Sequence, residues 1–180
     1  VARARYQYGQ VLRHTAYESA RKIKTDRAAL EQIKAERLTT RQPGLKLDEH
    51  IRLVDSLDRT QKKYEEMMRQ AYEEFCKAED LLLASPDTAD PAVVRRTSFW
   101  AADCAYWLGE FTDCAARCDK LAIRYRGKIE ELEAGRDLHR CCTFAIEAAR
   151  QAKDSEGEAA WAKRAKDAKT KVQDGLLRIS

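Results

Sequence analysis

The chain has 180 residues, 36% charged and 44% apolar, with 34 Lys and Arg against 30 Asp and Glu for a net charge of +4. That length supports one domain with a substantial core. Interspersed charges of both signs lack the segregated basic surface of a nucleic-acid binder, and no run of about 18 apolar residues exists to span a membrane.

Gly (7) and Pro (3) are scarce, strong helix formers dominate, and β-branched residues are few, so the composition predicts an all-α fold. The chain opens at Val1 inside a helical pattern and without Met, which reads as a fragment or a processed form. Six cysteines at 76, 104, 114, 118, 141 and 142 fall mostly inside predicted helices among apolar neighbours. A secreted disulfide framework would place them in loops, so packed, reduced thiols and a reducing compartment are expected.

A first helix is predicted from Val1 to about Arg41, with Leu12, Ala16, Ala20, Ile23, Leu30 and Ile33 as its apolar stripe. Pro43 and Gly44 end it. A second runs from about Leu47 to Ala84, with Asp48 as its N-cap. There Val54, Leu57, Gln61, Tyr64, Met68, Ala71, Phe75, Ala78 and Leu82 alternate by three and four residues, a heptad stripe that needs a long antiparallel partner. Asp90 and Pro91 cap and open a third helix that reaches Leu108. A fourth spans about Thr112 to Tyr125 and ends before Gly127. A fifth covers about Lys128 to Ala152. Asp154 to Gly157 form the last turn, and a sixth helix presents Trp161, Ala165, Ala168, Val172, Leu176 and Ile179 on one face. The expectation is one domain of three antiparallel hairpins, at about 1–84, 91–125 and 128–180.

The middle hairpin carries AADCAYWLGEF and then LAIRY. Ala102 stands at a small-residue position of a first helix, Gly109 and Phe111 at a turn, Cys114 and Leu121 at the small positions of a second helix, and Arg126 where a closing proline is usual. This segment resembles a tetratricopeptide repeat, most like bacterial repeats of outer-membrane assembly lipoproteins and cell-envelope accessory proteins. The last hairpin matches only in outline, and the first is far longer than the repeat's roughly 34 residues. The resemblance implies a short α-solenoid with a cell-envelope role.

No residues assemble a catalytic motif. Cys114, Cys118, Cys141 and Cys142, with His139 nearby, supply zinc-ligand chemistry, but no CxxC pair exists and adjacent helical cysteines diverge by about 100°. No metal or cofactor is therefore expected. His14, His50 and His139 lie outside any metal-binding spacing. Asp103, Glu110 and Asp113 either line a concave face or cap the fourth helix, and capping is favoured for Asp113. Trp100, Tyr106, Trp107 and Trp161 are read as core residues, except that one left exposed becomes a binding anchor. Lys163, Arg164, Lys166, Lys169, Lys171 and Arg178 give the last helix a basic side, interrupted by acids and read as a solvated terminal face.

The resulting expectation is a non-enzymatic scaffold that binds a protein partner in a groove formed by the third and fifth helices, with Asp103, Tyr106, Trp107 and Arg140 as site residues. Self-assembly through the long first hairpin is the alternative, and binding of an anionic surface or nucleic acid through the last helix ranks below it.

Overall fold

The computed structural model describes residues 1–179. Among the described residues six α-helices make up the fold, α1 Ala2–Thr40, α2 Leu47–Leu83, α3 Pro91–Trp107, α4 Phe111–Arg124, α5 Ile129–Gln151 and α6 Ser155–Ile179, with a short 3-10 helix at Pro86–Thr88. Among the described residues there is no strand. The expected all-α hairpin architecture is present. The chain divides into two compact units, one of Gln7–Ala71 and one of Val1–Tyr6 with Tyr72–Ser180.

The unit Gln7–Ala71 is an antiparallel helical pair. Ile23, Leu30 and Ile33 of α1 and Tyr64 and Met68 of α2 are buried. Polar links fix their register. The Ser56 hydroxyl donates to Asp26 at 3.0 Å and accepts from Lys22 Nζ at 2.7 Å. Lys46 pairs with Glu36 at 2.7 Å, and Arg37 Nε donates to the Leu45 carbonyl at 2.6 Å. Helix α2 starts at Leu47, so Asp48 is not the cap. With Glu49 it lies in the first turn, where a carboxylate still complements the helix dipole. The heptad stripe is buried from Tyr64 onward, whereas Val54 stays exposed.

In the other unit, local chemistry sets the boundaries. Asp90 accepts the Ala92 N–H at 2.9 Å, with Pro91 opening α3. The α3 end closes as a Schellman motif: Glu110 N–H bonds the Ala105 carbonyl at 2.9 Å and Gly109 N–H bonds Tyr106 at 3.1 Å. Gly109 takes φ +76° there, a conformation that glycine adopts without a Cβ clash. At the start of α6, Asp154 Oδ1 accepts the Gly157 N–H at 2.9 Å. Gly157 thus belongs to the first turn of the helix and not to the preceding loop. Leu176 and Ile179 are exposed rather than core, because Gly175 takes the inward position, where a Cβ would come within 2.9 Å of Leu132.

The sequential helices pair antiparallel, and alternate helices run side by side in parallel. Phe99 of α3 meets Tyr125 just beyond α4, and Tyr106 meets Phe111. Gly135 of α5 faces Val172 of α6 so closely that an added Cβ would lie 2.5 Å from its side chain. Arg95 pairs with Glu130, and further along Arg140 reaches Asp103, so α3 and α5 share one direction. Tyr72 with Asp113 and Glu79 with Arg124 give α2 and α4 the same relation. Small buried residues, Ala102, Ala105, Ala115, Ala134 and Cys141 among them, let these helices approach.

Candidate functional site

The four predicted site residues converge on one surface formed by α3 and α5. Asp103, Tyr106 and Trp107 occupy the last turns of α3, and Arg140 comes from the middle of α5. The Arg140 guanidinium lies 4.4 Å from the centre of the Tyr106 ring, a cation–π contact. Its Nη2 is 3.4 Å from Asp103 Oδ1 and 4.0 Å from Asp137 Oδ1. Arg136 stands 3.6 Å from the same Asp137 oxygen. Charge-assisted bonds of this type usually measure about 2.7–2.9 Å, so these contacts are long ones.

Aromatic rings frame the ion cluster. Tyr106 is buried and meets Trp107 edge-on at 5.1 Å and Phe144 edge-on at 5.3 Å. Trp107 remains 45% exposed and Phe144 54% exposed. Desolvation by burial pushes the Asp137 carboxyl up, against the pull of Arg140 and Arg136. The surface therefore offers two exposed aromatic rings, guanidinium donors at long range from their acids and a partly desolvated carboxylate. Sequence reasoning missed Asp137 and Phe144. The signal was available, since 137, 140 and 144 follow i, i+3, i+7 spacing on one face of α5.

A second polar cluster, centred on Arg117, lies between α2 and α4. Arg117 Nε bonds Asp113 Oδ2 at 2.9 Å, Nη1 bonds Glu79 at 3.0 Å, and Nη2 reaches the Tyr72 hydroxyl and Cys76 Sγ, each at 3.0 Å. Tyr72 in turn donates to Asp113 at 2.6 Å. Asp113 lies in the first turn of α4, as expected, where its charge complements the helix dipole, and it also spends an oxygen on Tyr72 and Arg117. Arg124 donates to Ser98 at 3.0 Å, and Ser98 donates to Glu79 at 2.5 Å. A pocket of about 210 Å³ opens beside this network, lined in part by Cys76, Glu79, Ser98 and Arg117. Its donors and acceptors already serve one another, which is the signature of a helix-to-helix tie.

The cysteines are free thiols. Hydrogen bonding with Cys118 and burial push Cys114 up, hydrogen bonding with Cys114 and burial push Cys141 up, and burial holds Cys142 at about 11. Burial also raises Cys76 despite Arg117. Cys76, Cys114, Cys141 and Cys142 are thus held toward the thiol form, and the thiolate is the form that attacks or ligates. Among the described residues no three His, Cys, Asp or Glu side chains are grouped to hold a metal ion.

The basic side of α6 is not simply a solvated face. Arg164 and Lys171 both reach Asp119 of α4, at 2.8 and 3.1 Å, and Arg178 pairs with Glu131 of α5. No helix among the described residues is long and apolar enough to cross a membrane. Compared with known proteins, the chain matches no family model, no curated protein and no solved structure.

Proposed function

We propose that this chain is a non-enzymatic binding module of tetratricopeptide-like architecture that takes a protein segment against the α3–α5 surface. The observation that carries the reading is the grouping of exposed Trp107 and Phe144 with Arg140 on a preformed helical face. Trp, Tyr and Arg dominate the energetics of protein interfaces, because they bury large areas and make directional bonds at modest entropy cost. The parallel register of α3 with α5 and of α2 with α4 supports a repeating hairpin scaffold. Buried thiols held toward the protonated form support a binding role over a catalytic one. The bound segment lays an apolar side chain over Trp107 and Phe144 and offers a carbonyl or carboxylate to Arg140.

The test is capture from the native lysate by the full chain beside two variants, Trp107→Ala and Arg140→Glu, with helicity checked by circular dichroism. A partner held by the native chain and lost by both folded variants supports the reading. The same proteins captured by all three chains defeat it.

A further inference from the structure

The unit Gln7–Ala71 carries an independent signal near the start of α2. Leu47, Ile51 and Val54 are each about half-exposed there. Their i, i+4, i+7 spacing makes them one apolar stripe, turned about 90° around the helix axis from the buried stripe that continues into Tyr64 and Met68. A second stripe runs beside it at Asp48, Arg52, Asp55 and Arg59, spaced i, i+4, i+7, i+11 and exposed throughout.

The order of signs along that second stripe is minus, plus, minus, plus. Reversed, it reads plus, minus, plus, minus. Two copies of α2 laid antiparallel about a two-fold axis between Leu53 and Val54 therefore set Asp48 against Arg59 of the other copy and Arg52 against Asp55 of the other copy. Each pair occurs twice by symmetry, as an isologous interface requires. Ile51 and Val54 of both copies meet at the centre. Asp58, which continues the apolar stripe, is neutralised by Lys62 at 2.8 Å.

We propose that this face of α2 is a self-association surface whose occupant is a second copy of the chain, docked antiparallel. Exposed ion pairs contribute little net affinity, so the apolar stripe supplies the attraction and the charges set orientation and register. The proposal does not depend on the α3–α5 surface.

The experiment is light scattering on the full chain over a range of concentration and salt. The expected result is a monomer–dimer equilibrium that Ile51→Glu abolishes and Asp55→Arg weakens by about tenfold or more, because the reversal puts like charges together twice. The double reversal Asp55→Arg with Arg52→Asp restores the dimer, since it exchanges the partners of each pair. Should Ile51→Glu lose helicity by circular dichroism, the exposed Val54→Lys takes its place. A chain that is monomeric up to about 1 mM overturns the proposal. So does a dimer indifferent to these substitutions, or a double reversal that recovers nothing.

Discussion

Arg117 and Arg140 are built on the same plan and do different work. Each guanidinium lies over a tyrosine ring, at 5.1 Å from Tyr72 and 4.4 Å from Tyr106. Both bridge alternate helices, and both face two carboxylates. Arg117 is 20% exposed and reaches carboxylates, hydroxyl and thiol at 2.9–3.0 Å. Arg140 is 43% exposed, and its contacts to Asp103 and Asp137 are 3.4 and 4.0 Å. The first has used its donors to hold the fold. The second meets its carboxylates only at longer range, beside exposed Trp107 and Phe144. An arginine's environment, more than its neighbours' identity, separates a structural tie from a recognition point.

The largest expected effect tests the structural side of this contrast. Arg117→Ala leaves Glu79 and Asp113 as under-compensated carboxylates and removes the donor to the Tyr72 hydroxyl. The loss is about 2–3 kcal/mol in urea denaturation. Arg117→Lys recovers only part of it, because one ammonium cannot reproduce the planar fork that meets four groups of the network. Arg140→Ala costs less than about 1 kcal/mol, as expected for a long, exposed pair. Equal losses at the two positions, or a larger loss at Arg140, would erase the distinction.

The two clusters also differ in how legible they are in the amino-acid sequence. Helix boundaries follow from local chemistry, so Asp90, Pro91, Gly109 and Gly127 mark them by residue type and position alone. The Arg140 site is largely readable because it lies on regularly spaced faces of two helices in the segment that resembles a repeat. The Arg117 cluster is not. Glu79 and Cys76 are 38 and 41 residues from Arg117, and nothing in local periodicity sets the axial register of α2 against α4. Asp113 shows the cost of this. Its place in the first turn of α4 is legible, but the bond it accepts from Tyr72, a residue of another helix, is not. The end of α6 fails for a related reason. Periodicity puts Leu176 on the inner face, but close approach to Leu132 selects Gly175 for the inward position.

The smallest effect, and the sharpest on the comparison, is in the pH dependence of stability. Burial pushes the Asp113 carboxyl up, but hydrogen bonds from Tyr72 and Arg117 outweigh it and hold the group below the usual carboxylate range. At Asp137, burial wins over Arg140 and Arg136, and the carboxyl is held above that range. A lowered folded-state value contributes stability that is present above the unfolded value, about 3.9 for Asp, and is lost as pH falls through the folded one. A raised value works in reverse. The folded chain takes up a proton that the unfolded chain does not, so the cost of Asp137 at neutral pH is relieved as pH falls from its raised value toward the unfolded one. Asp113→Asn should therefore lower stability at pH 7 and flatten the loss on acidification below about pH 4. Asp137→Asn should leave stability at pH 7 unchanged or higher and remove the gain on mild acidification. Urea midpoints measured from pH 3 to 7 decide it. Shifts of the same sign for both variants would mean that the two clusters are electrostatically alike, and that Asp137 is as well compensated as Asp113.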